Sequence, residues 1–97
     1  MIELVAAIWL LWDTPSERVD GTPLDATEIH HYEMYRDGSL YGKTDTSSQV
    51  EMEVNADGTY TVRAVDTDGQ AGDFSNEVAV KIKGKARAPG QLSKWRY

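Results

Sequence analysis

The run Tyr60-Thr61-Val62-Arg63-Ala64-Val65-Asp66 constrains this chain more than any other segment. Its residues alternate with the period of two that gives an extended strand one dry and one wet face, so Tyr60, Val62 and Ala64 are expected to point inward. Residues 49–54 repeat the pattern, with Val50, Met52 and Val54 inward and Gln49, Glu51 and Glu53 outward. Asn55-Ala56-Asp57-Gly58 lies between the two runs and has the composition of a turn.

Three further strands are expected. Residues 4–12 place Leu4, Ala6, Ile8, Leu10 and Trp12 on one side and Val5, Ala7, Trp9 and Leu11 on the other, so both faces are apolar. Ile29, Tyr32 and Met34 fit the inward positions of a middle strand that ends in the turn Arg36-Asp37-Gly38-Ser39, where glycine tolerates positive φ. Residues 76–82 form the last strand, with Val78, Val80 and Ile82 on one face. Residues 14–28 contain Pro15, Gly21 and Pro23 and keep neither period, so a long loop is expected there. A second loop is expected from Asp66 to Asp73.

A chain of 97 residues is one domain. It buries only roughly two thirds of its unfolded surface, which leaves little room for a deep pocket. There are no cysteines, which excludes disulfides and thiol metal ligands. The N-terminal apolar run carries only Glu3 and lacks the basic leader of an export signal, and it is too short to span a bilayer. Charge is segregated. All sixteen carboxylates lie in residues 1–77 against Arg18, Arg36, Lys43 and Arg63, which leaves that part at −12. Residues 78–97 hold Lys81, Lys83, Lys85, Arg87, Lys94 and Arg96 and no acid, which gives +6. An acidic body repels phosphate, so nucleic acid is not an expected partner. The basic tail is expected to meet acidic protein.

Taken together, Trp12 followed by Asp13-Thr14-Pro15, the Tyr32-Glu33-Met34-Tyr35-Arg36-Asp37-Gly38 run, Val54 and the Tyr60 strand resemble a fibronectin type III domain of the kind found in bacterial and phage proteins. The resemblance covers residues 8–82. It implies an all-β, immunoglobulin-like two-sheet sandwich of fibronectin type III topology, with Trp12 in the core on the family's second strand. It also implies a tyrosine corner at Tyr60, whose hydroxyl would reach a backbone group upstream. Two departures stand out. Only eleven residues precede Trp12, so the family's first strand is missing or stunted, and residues 84–97 outrun the 1–83 sandwich as a basic tail ending in Leu92, Trp95 and Tyr97.

No enzyme, cofactor or metal site is expected. His30 and His31 are adjacent, and neighbours on a strand point to opposite faces, so at most one can join a cluster. The Asp66 to Asp73 loop lacks the spacing and distal bidentate Glu of a calcium loop and has no Arg-Gly-Asp sequence. The expected contact face is Val5, Trp9 and Leu11 with Leu92, Trp95 and Tyr97 of the tail, because an apolar stripe on a polar sandwich calls for a cover. The expected role is non-catalytic protein assembly in a phage virion or tail, located in the virion or host cytoplasm, with a homodimer if tails exchange between copies. The alternative is a carbohydrate-associated accessory module, in which exposed rings would stack on sugar.

Overall fold

The computed structural model describes residues 8–82 and Gly90. The chain is all-β, with two antiparallel sheets facing each other across one core. Its strands are β1 (Ile8–Leu11), β2 (Ile29–Arg36), β3 (Ser39–Lys43), β4 (Glu51–Val54), β5 (Gly58–Asp66) and β6 (Val78–Val80). A 3-10 turn, Ala26–Glu28, precedes β2, and the Asp25 carboxylate caps it by accepting the Thr27 N–H. β1 and β4 form a two-stranded sheet, and the other runs in the order β3-β2-β5-β6.

The long pair β2·β5 is the centre of the larger sheet. From Tyr32 to Arg36 the register is regular, with Tyr32 opposite Ala64 and Met34 opposite Val62, so the alternation on both strands brings one apolar face together. Ile29 and Tyr32, three positions apart, are both buried, although a strict period of two would place them on opposite faces. A register shift between Ile29 and His31 resolves this, since one extra residue returns the next inward position to the core. The β2·β3 hairpin closes through Asp37 (φ 50) and Gly38 (φ 83), the two consecutive positive values that suit the twist of the flanking strands.

Buried Ile29, Tyr32, Met34, Val54, Tyr60, Val62 and Val80 form the core, and Ile8, Leu10, Trp12, Val50 and Met52 of the smaller-sheet layer pack onto it. The Trp12 and Tyr32 rings meet edge to face at 5.2 Å. Tyr60 is 1% exposed, and its hydroxyl donates to the Ala56 carbonyl at 2.7 Å, tying β5 to the turn that enters it. Thr44, also buried, accepts the Tyr32 N–H and donates to the Thr46 carbonyl, which fixes the exit from β3.

Two expectations are corrected. Residues 14–28 are not merely a loop. The Arg18 N–H bonds to the Thr22 carbonyl, Glu17 bridges to Pro23, and the Asp20 carboxylate accepts from both Thr22 N–H and Oγ1, so side-chain chemistry builds a small hairpin without a hydrophobic period. The last strand is shorter than 76–82, because the Ser75 hydroxyl takes the Val62 N–H in place of a strand carbonyl. Val80 is buried, but Val78 is 42% exposed.

Tyr60→Phe keeps the ring and removes only the bond to Ala56. It is expected to cost about 0.5–1.5 kcal/mol, read as a lower urea midpoint with an unchanged slope. An unchanged midpoint would mean the corner bond adds nothing net.

Candidate interaction face

The smaller sheet places chemistry in an unusual position. Trp12 donates its N–H to the Val50 carbonyl, and Leu10 lies opposite Met52, so the even positions of β1 bond to β4. Antiparallel pairing then turns the N–H and C=O of Trp9 and Leu11 toward the opposite edge of β1, where no strand pairs among the described residues. Their side chains stand on the outer face, Trp9 52% and Leu11 72% exposed. The same strand thus shows both an unpaired backbone edge and an apolar outer face. Of the expected contact residues the structure brings together Trp9 and Leu11, whereas Val5, Leu92, Trp95 and Tyr97 lie outside the described residues.

Beside that edge, the space between the sheets opens as a cleft of about 950 Å³. Its walls are Leu10 and Trp12 on one side and Val78 on the other, with Tyr32 and Val62 of the core at its floor. Val78 is exposed for this reason, since it borders the cleft and nothing described covers it. The Tyr32 hydroxyl and Trp12 Nε1 are buried and have no hydrogen-bond partner among the described residues.

Charge around the cleft is mostly negative. Its two cations are engaged elsewhere: Arg18 reaches Glu28 at 2.7 Å and Asp66 at 3.2 Å, and Arg63 reaches Glu33 at 2.8 Å. Asp13, Glu17, Asp20 and Asp73 line the cleft with no cation within salt-bridge distance among the described residues. Asp66 shows why the loop after β5 is no open cation cage. Its Oδ1 accepts the N–H groups of Asp68 and Gln70, and its Oδ2 accepts from Arg18. The Gln70 amide, helped by Arg18 and the Asp68 amide, holds this carboxyl below the ordinary Asp value against the opposing effect of burial.

Two features escaped the sequence reading. His30 and His31 do not diverge, because the irregularity at the start of β2 brings their Nδ1 atoms to 2.8 Å, a contact in which one ring donates and the other accepts. On the outer face of the larger sheet, Arg63 stands opposite Glu33 and lies 5.0 Å from the ring centres of both Tyr35 and Phe74. Burial pushes the Glu33 carboxyl up, but its hydrogen bond to Arg63 and the charges of Arg63 and Lys43 outweigh that, so it is held below its usual range. Outward alternation on both strands is the signal that could have paired these residues. The Tyr35 and Phe74 rings meet at 82°, which offers no flat platform.

Among the described residues no group of three or more His, Asp or Glu is placed to hold a metal ion, and no helix is long and apolar enough to cross a membrane. Comparison of the chain with family models, curated proteins and solved structures gave no match.

Because the folded-state value of Asp66 lies below the unfolded value of about 3.9, its charge adds stability above that pH, which is lost as pH falls through the lower folded value. Asp66→Asn keeps an acceptor for both amides but not the charge. The native chain is expected to have the higher urea midpoint at pH 6, with the gap closing below pH about 3.9. A gap of equal size at both ends would contradict an ionic role.

Proposed function

We propose that this chain is a non-catalytic protein-interaction and assembly module of the fibronectin type III kind, with phage virion or tail structure as its setting. The observation that carries the interaction reading is β1, a short strand whose outer backbone edge has no partner strand among the described residues and whose Trp9 and Leu11 are exposed on its outer face. Soluble monomers seldom leave such a feature uncovered. The strand order supports the family reading, since β1 and β4 would be the second and fifth strands of the family and β3-β2-β5-β6 its opposite sheet. The Tyr60 to Ala56 hydrogen bond supports it as well. A non-catalytic role is supported by the cleft itself, whose charged groups are already engaged: Arg18 with Glu28 and Asp66, Asp66 also with the Asp68 and Gln70 N–H groups, and Arg63 with Glu33 and Tyr35.

A second copy of the chain is the partner to test first, because a two-fold contact would let each copy cover the other's Trp9 and Leu11. The full chain is expected to show about twice the monomer mass by light scattering after size exclusion. Trp9→Ser combined with Leu11→Ser is expected to return it to monomer while changing the unfolding free energy by less than about 0.5 kcal/mol, as both side chains are exposed. A native chain that stays monomeric at every concentration would rule out self-association through this face.

A further inference from the structure

We propose that His30 and His31 form a two-coordinate copper(I) site, in which the ion takes the place of the proton shared between their Nδ1 atoms. The inference is independent of the interaction reading, because the pair lies at the start of β2 in the larger sheet and does not depend on what meets β1.

The backbone brings the two rings together. Successive residues of a regular strand point to opposite faces, which would hold adjacent imidazoles apart. The register shift between Ile29 and His31 breaks that alternation, and the two Nδ1 atoms meet at 2.8 Å with the ring planes at 85°. The ring centres are 5.1 Å apart, close to the largest separation that imidazoles touching at 2.8 Å can have. Both nitrogens therefore lie near the line joining the rings, and their in-plane bonding directions face each other. A neutral imidazole carries one proton for two nitrogens, so this contact holds one proton and leaves one lone pair aimed at it.

The donor set selects the ion. Imidazole nitrogen suits copper, zinc, iron and nickel, whereas calcium and magnesium take oxygen. Structural and catalytic zinc sites use three or four protein ligands, and among the described residues no third His, Asp or Glu joins the pair. Copper(I), a closed-shell ion, is satisfied by two nitrogens in a line, which is what opposed Nδ1 atoms supply. At about 2 Å per metal–nitrogen bond the nitrogens must part to about 4 Å. His30 is exposed and can swing outward, while the His31 side chain is only 17% exposed and stays in place.

Both rings can keep their own proton on Nε2. The buried His31 Nε2 lies 3.9 Å from Glu33 Oε2, and Arg63 holds that carboxylate at 2.8 Å, so a fixed negative charge faces this nitrogen and favours a proton on it. A carboxylate behind the other ring nitrogen is the usual companion of a metal-bound His. The exposed His30 can direct its Nε2 proton to water. Both Nδ1 lone pairs are then free for the ion, and neither ring changes its net charge.

Titration of the full chain with copper(I) under argon, against bicinchoninate as competing chelator, tests the site. Uptake of a single equivalent is expected. In nitrogen-labelled protein both Nδ1 resonances are expected to shift while both Nε2 atoms stay protonated. His30→Ala and His31→Ala are each expected to weaken binding by about 100-fold or more, since changing even a partner outside the ligand set of a metal costs about 10- to 100-fold. No uptake in competition overturns the proposal. Uptake that neither substitution weakens also overturns it, since the ion then sits elsewhere, and so does a resonance shift confined to one ring. If His31→Ala fails to fold, the nitrogen resonances of the native chain decide alone. Copper uptake and molecular mass are separate readouts, so the site and the assembly reading can fail independently.

Discussion

The smaller sheet has two strands and the larger has four, and nearly every notable feature of the described structure follows from that mismatch. β1 and β4 lay Ile8, Leu10, Met52 and Val54 over the β2·β5 pair, whose inward residues are largely buried. Past β1 no further strand continues the cover among the described residues. Val78 is exposed on β6, the Tyr32 hydroxyl and Trp12 Nε1 have no hydrogen-bond partner among the described residues, and acidic groups gather around the gap. Buried polar atoms normally find partners, and sheet edges are normally guarded, so the uncovered flank is where this molecule has interaction energy left to gain.

The rest of the sandwich is tied down by specific bonds. Tyr60 anchors the turn between β4 and β5, Thr44 fastens the exit of β3, and Arg18 links the small hairpin of residues 17–23 to Glu28 and Asp66. The Arg63 and Glu33 pair, flanked by Tyr35 and Phe74, closes the outer face of the larger sheet. These contacts lie away from the outer face of β1, so Trp9 and Leu11 can serve binding without being needed for folding.

Much of the fold was legible because period-two alternation is strong where one face is dry. Tyr60, Val62, Met34, Tyr32 and Val54 all lie buried as their pattern implies. Other features depend on what alternation cannot encode. The register shift that brings His30 against His31 comes from the pairing of β2 with β5, and the hairpin near Asp20 comes from side-chain bonds to local backbone. The cleft was illegible for a different reason, since it depends on which edge of β1 is left open, and alternation does not encode pairing partners. Trp9 and Leu11 could be read as outward from their parity alone. Their unpaired amides required the register of β1 on β4.

The most direct measurement is amide hydrogen exchange of the native chain, read residue by residue along β1. Trp9 and Leu11 amides that exchange far faster than those of Leu10 and Trp12, which bond to β4, are the expected result. Trp9 and Leu11 amides as well protected as their neighbours would contradict an open β1 edge.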